Sequence, residues 1–141
     1  MSVFAKTYDG KASEIRSEIG VASSFATDVE SESIKCSAIW DTGANGTSIN
    51  ARIAERLGLT AISHVSVETA NGKCEAPIYL IDVLLPNGRS VKHIEAMGTN
   101  LSICDALIGM DIITLGDMLI TNAPNTKFEF RLPSKGAPSL K

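Results

Sequence analysis

Two of the three Asn-Gly pairs, Asn71-Gly72 and Asn87-Gly88, constrain this chain more than any other feature. Both residue types tolerate the positive φ of a two-residue β-turn, whose twist matches the strands it joins. Each pair therefore predicts a hairpin, one of residues 65–70 against 73–83 and one of 78–85 against 90–96. A third is predicted where residues 118–121 and 127–132 flank Pro124-Asn125. In the last of these strands Phe128, Phe130 and Leu132 alternate with charged residues, as a half-buried strand should.

Upstream, Ile19, Val21 and Phe25 predict a strand, and the polar stretch 28–33 a turn. Ile34, Cys36, Ala38 and Trp40 alternate with Lys35, Ser37, Ile39 and Asp41, which makes 34–41 a strand with Asp41 at its carboxyl end. Residues 42–46 carry two glycines and an asparagine, so the backbone turns there. A short helix follows, capped by Ser48 or Asn50, with Ile49, Ile53 and Leu57 on its inward stripe. Gly58 can take the left-handed position that ends it, with Leu59 packing behind. Residues 105–115 are apolar enough for a second short helix, closed by Gly116. Short strands, tight turns and little helix point to an all-β chain, a small barrel or a sandwich.

Asp41 taken alone could merely cap the turn that follows it. Its setting gives it another use. Trp40, Ile39 and Ala38 are apolar, and dry surroundings raise a carboxylate's pKa and suit it to proton transfer. Gly43 lets a ligand or a second backbone come close.

Asp41-Thr42-Gly43-Ala44, after its apolar strand, resembles the active-site signature of the pepsin and retropepsin superfamily. Leu107-Ile108-Gly109 resembles the family's second mark, which passes behind the catalytic loop and leads into a short helix. Between them, Glu68-Thr69-Ala70-Asn71-Gly72-Lys73 resembles the flap over the substrate. The tripeptide by itself is a weak signal, but three marks in this order are specific. The resemblance covers roughly residues 34–132. It implies a small closed acid-protease barrel with a flap hairpin and one or two short helices. Residues 1–132 would form a single retropepsin-like domain and 133–141 a polar, loose tail.

The resemblance also implies roles. Asp41, Thr42 and Gly43 would be catalytic: Asp41 as the reacting carboxylate, Thr42 bonding across a two-fold axis, Gly43 turning its N–H to the carboxylates. Ala44, Asn45, Gly46 and Ile108 would bind substrate, and the flap tip Ala70, Asn71 and Gly72 would close over it. The chemistry needs two carboxylates sharing one proton, because like charges so close cannot both ionise. The chain carries one Asp-Thr-Gly and no Asp-Ser-Gly, so the pair requires two copies around a two-fold axis. The expected activity is that of a homodimeric aspartic endopeptidase. The alternative is a binding or assembly module that keeps the fold without proteolysis.

Two departures stand out. Retroviral members have an ion pair between the residue after the alanine and the residue after the second glycine; here those positions are Asn45 and Met110. Other contacts must then hold the dimer, such as a sheet from the chain ends or from residues 127–132. Trp40 is bulkier than the usual aliphatic residue and reads as a core aromatic.

Composition excludes several other classes. The net charge is −3 with no basic block, so nucleic acid is not an expected partner. No apolar run approaches the roughly 20 residues that span a bilayer, and the first residues do not read as a signal peptide. A cytoplasmic location and no membrane partner are the expectation. The three cysteines, Cys36, Cys74 and Cys104, lack CxxC spacing, and His64 and His93 stand alone, so neither a disulfide framework nor a metal site nor any other cofactor is expected. Cys74 beside the flap tip and His93 read as ordinary strand residues.

Overall fold

A computed structural model describes residues 2–136 and 139–140. In chain order its elements are β1 (Ser2–Thr7), β2 (Arg16–Ser23), α1 (Val29–Glu32), β3 (Ile34–Trp40), β4 (Ser48–Asn50), α2 (Ala51–Arg56), β5 (Ser63–Thr69), β6 (Gly72–Leu84), β7 (Ser90–Thr99), β8 (Ala106–Ile108), α3 (Met110–Ile113), β9 (Asp117–Thr121) and β10 (Lys127–Leu132).

The larger sheet runs β2-β3-β8-β4-β7-β6-β5, and β2 also pairs with β6. That second pairing sets Gly20 against Leu84 and Ser23 against Ile81, and it closes six strands into a ring. Only β5 stays outside, hanging on β6 as the outer half of the first hairpin. The ring is the small closed barrel expected from the resemblance. Its interior is aliphatic: Val21, Ala38, Ile49, Ile81, Val83, Ile108 and Ile112 are fully buried. Transfer from water of each of the larger side chains stabilises the fold by roughly 2 kcal/mol.

The smaller sheet, β1-β10-β9, is antiparallel and lies against the barrel. Its core face carries Phe128 and Phe130, whose rings meet Trp40 at 5.0 and 4.9 Å. The Trp40 indole N–H donates to Ser17 Oγ at 2.8 Å, so this large residue is a satisfied core aromatic, as expected.

All three predicted hairpins form, the third around Pro124-Asn125 as expected, but the turns of the first two sit one residue earlier than expected. Thr69 pairs with Gly72, which leaves Ala70-Asn71 as the turn. In the second hairpin Gly88 N–H donates to the Leu85 carbonyl, which puts Pro86-Asn87 at the centre. Of these residues only Gly72 and Gly88 have positive φ, 107° and 84°. The glycine alone absorbs the reversal at the end of each turn, and the asparagine does not need to.

Other differences have local causes. Asn50 does cap the first predicted helix, accepting from Arg52 N–H at 3.1 Å, but Ser48–Asn50 before it is a strand wedged between β7 and β8. The helix predicted over 105–115 is likewise divided into β8, paired with β3, and α3. Short apolar runs fit either period, and neighbours decide. The turn at 28–33 contains a single helical turn capped by Asp28, so the described residues hold three short helices rather than one or two. Phe25 lies beyond β2 and is 76% exposed. β1, unanticipated, exists because β10 supplies it with a ladder. Residues 134–136 are not loose: Ser134, Lys135 and Gly136 all donate to the Asp117 carboxylate. Among the described residues no helix is long and apolar enough to cross a membrane.

Candidate active site

β3 delivers Asp41 to the rim of the barrel. The backbone is gripped on both sides there: Trp40 N–H donates to the Ile15 carbonyl and Asp41 N–H to the Ile108 carbonyl, each at 2.8 Å. The chain then reverses, with Ala44 N–H reaching back to the Asp41 carbonyl at 3.2 Å. The half-buried Asp41 side chain accepts from Gly43 N–H through Oδ1 at 2.8 Å. A Cβ on Gly43 would stand only 3.2 Å from that oxygen. A side chain there would have to push the carboxylate back slightly from its own loop.

The second motif supports this loop from behind. Gly109 passes so near that a Cβ would fall 2.5 Å from the Gly46 carbonyl oxygen and 3.0 Å from that of Ala44. The first turn of α3 has backbone donors with no partner inside the helix. The loop supplies the acceptors: Met110 N–H donates to the Ala44 carbonyl at 2.8 Å and Asp111 N–H to that of Asn45 at 3.2 Å. Asp111 completes the tie. Its carboxylate accepts from Thr47 N–H (3.0 Å), Thr47 Oγ1–H (2.8 Å) and Ile112 N–H (2.9 Å). Thr47 Oγ1 in turn accepts from Gly109 N–H at 3.3 Å. A charged acceptor satisfying three donors makes a strong clamp. It ties the loop to α3 within one chain, beside Asn45 and Met110, the positions at which the retroviral ion pair is absent. Asp111 and Thr47 were not among the predicted site residues. Their signal is slight, a carboxylate directly after the second motif and a hydroxyl directly after the glycine-rich turn.

Of the predicted site residues, Thr42, Gly43, Asn45 and Gly46 are exposed and lie on the same turn as Asp41; Ala44 is half-buried. Ile108 needs correction. Its side chain is fully buried in the core, so the residue meets the site through its carbonyl on Asp41 N–H and presents no side chain to a ligand. The flap-tip residues Ala70, Asn71 and Gly72 are exposed, and Asn71 N–H bonds only locally, to Thr69 Oγ1. Beneath the hairpin lies a cavity of about 290 Å³ whose lining includes Val67, Thr69, Cys74, Met97 and Thr99 but not Asp41. One chain thus brings together the Asp41 turn and the Gly109 segment, and leaves the hairpin standing apart. Of the cysteines, burial pushes the Cys36 thiol up to about 11, whereas Cys74 is exposed on the hairpin.

The fold has solved counterparts. A retropepsin-like aspartic protease from Rickettsia conorii superposes with a TM-score of 0.57 at 16% identity, over 92% of this chain and 91% of that one. The EIAV protease, solved with an inhibitor, gives 0.50 at 14% identity over 71% of this chain and 85% of its own. The simian foamy virus (mac) protease gives 0.50 at 18% identity over 69% and 89%. At such identities the likeness is one of fold. No curated protein matches the chain by sequence at a significant level. Residues 27–114, well over half of the chain, match the family model described as "gag-polyprotein putative aspartyl protease", and the chain belongs to that family of retropepsin-like aspartic proteases.

Proposed function

We propose that two copies of this chain form a homodimeric aspartic endopeptidase, with one Asp41 from each at its centre. The observation that carries this reading is the Asp41 turn itself. A single carboxylate is held in place by Ile108 from one side and Gly43 from the other, on a loop fixed by Asp111, yet it lies half-open at the surface. Half a site of this kind becomes complete on a two-fold axis.

In the dimer the two Asp41 carboxylates share one proton. The ionised one takes a proton from water, which attacks the peptide carbonyl carbon. The protonated one donates to the carbonyl oxygen, and their roles then reverse. Their titration belongs to the pair. Thr42 bonds across the axis, and Gly43 N–H holds the carboxylate in line. Ala44, Asn45 and Gly46 line the cleft and bind an extended peptide, and Ala70, Asn71 and Gly72 close over it and exclude water. Residues 1–132 make this unit, and the tail 133–141 takes no part in the chemistry.

The test is the mass of the purified protein in solution, followed by peptide cleavage at mildly acid pH with and without pepstatin. Dimers that cleave, are inhibited, and lose activity by roughly 100-fold or more in Asp41→Asn are expected. A strict monomer without cleavage overturns the proposal, and cleavage that survives Asp41→Asn assigns the chemistry to another group.

A further inference from the structure

We infer that Asn50 is a positioning residue: its side-chain amide locks residues 101–103 to the strand leading out of the Asp41 turn, and so fixes a wall of the peptide cleft. The inference rests on the enzyme proposed above. Asn50 ends β4, shortly after the clamped Thr47, and caps α2. It is buried, yet both ends of its amide are used. Oδ1 accepts from Arg52 N–H at 3.1 Å, and Nδ2 donates to the Leu101 carbonyl at 2.7 Å. The Asn50 backbone N–H also donates to the Asp105 carbonyl at 2.8 Å. Capping needs only the oxygen, which serine, threonine or aspartate supplies as well. The second bond needs an amide donor pointing the other way, and of these caps only asparagine carries one.

Little else holds that segment. The chain leaves β7 at Thr99 and enters β8 at Ala106. Asp105, at its far end, is well fastened: its N–H donates to the Ser37 carbonyl, and its carboxylate accepts from Ser37 N–H and from Arg52. Between them Ser102 and Ile103 are exposed, so burial does not anchor them. Among the described residues, no hydrogen bond but that of Asn50 reaches residues 101–103.

The segment joins two parts of the proposed site. Ahead of it, Thr99 and Asn100 line the cavity under the hairpin, together with Ala51, the neighbour of Asn50. Val67, Thr69 and Cys74 line the same cavity from the hairpin. Behind the segment, β8 ends at Ile108, whose carbonyl holds Asp41 N–H. A peptide reaching from Asp41 toward the cavity has this stretch at its side. One wall is thereby set in register with Asp41, while the hairpin opposite stays free to move.

Two variants separate the bond from the cap. Asn50→Ser and Asn50→Asp both keep an acceptor for Arg52 N–H and lose the amide donor; serine is too short to reach Leu101. NMR order parameters of the 101–103 amides should stand near the rigid value of about 0.85 in wild type and fall below about 0.6 in both variants, with α2 unchanged. At mildly acid pH, KM for a cleaved peptide should rise about tenfold with kcat within about twofold, as expected for one lost hydrogen bond outside the reacting atoms. Asn50→Asp has a further signature. Protonation gives its carboxyl an O–H donor, so KM should return toward the wild-type value as pH falls to about 4, and in Asn50→Ser it should not. Wild type measured at each pH is the reference. Order parameters or KM unmoved in both variants, α2 lost together with the segment, or no return of KM in Asn50→Asp overturns the role of Asn50 and leaves the enzyme standing. A wild type that cleaves no peptide overturns the enzyme and, with it, any part of Asn50 in the reaction.

Discussion

The Asp41 turn and the hairpin of β5 and β6 are both loops of a small β-protein, yet they are held in opposite ways. The turn is tied by hydrogen bonds to Ile108, Met110 and Asp111, none of which belongs to it. The hairpin tip bonds to itself, through Thr69 to Gly72 and Asn71, and its residues are exposed. Chemistry that depends on sub-ångström placement needs the first arrangement. Admission and release of a chain need the second, because a segment with few buried contacts opens at little cost. The comparison teaches where substitutions should act on stability and where on turnover alone.

The sharpest way to break it is Gly109→Ala. The new methyl would fall 2.5 Å from a backbone oxygen, and neither backbone can yield without moving the Asp41 turn. Destabilisation of about 3 kcal/mol by urea unfolding and loss of cleavage are expected. Asp111→Ala removes one carboxylate from three donors and should cost about 2 kcal/mol. Asp111→Asn retains an acceptor and should recover part of that loss, with kcat reduced more than KM is raised. On the hairpin, Gly72→Ala meets no atom within 4 Å, so only its φ of 107° opposes it. The expected cost is about 1 kcal/mol, confined to faster amide exchange in β5 and the start of β6.

The smallest effect concerns a third region, the tail. The Ser134 hydroxyl, the Lys135 N–H and the Arg131 guanidinium hold the Asp117 carboxyl well below its ordinary value of 3.8. A carboxylate whose folded pKa is depressed contributes stability above its unfolded pKa and loses it as pH falls toward the folded one. The tie should thus be complete at mildly acid pH and weaken only below about 3.8. Amide exchange at Lys135 and Gly136 as a function of pH, against Asp117→Asn, reads this directly. A tail already free at mildly acid pH would contradict it.

Much of this was legible in the sequence, for identifiable reasons. Asp41 at a strand end followed from strict alternation through Trp40, and Cys36, Ala38 and Trp40 are indeed buried. Asn50 and Gly58 mark the ends of α2 because capping chemistry is local; Gly58 has a φ of 64°. What depends on distant partners was not legible. β4 and β8 are three residues each, too short for any period, and become strands only because β7 and β3 lie beside them. Ile108 and Leu107 look alike as letters, yet one fills the core and the other is half-buried. Asp111 reads as any surface acid until Thr47 is brought against it from 64 residues away.

The small sheet also sets an order of events. Ser2–Thr7 finds its ladder in Lys127–Leu132, so β1 must wait for β10. Contacts of such wide sequence separation form slowly, since the closure entropy comes before any reward. The barrel ring needs nothing beyond Ile108 and can assemble earlier. Until β10 arrives, Trp40 lacks the two rings that cover it, and the backbone beside Asp41 rests on an open face. In pulse-labelled refolding, β10 amides should gain protection after those of β3 and β8. The backbone beside Asp41 therefore gains its full support only when β10 docks on the barrel.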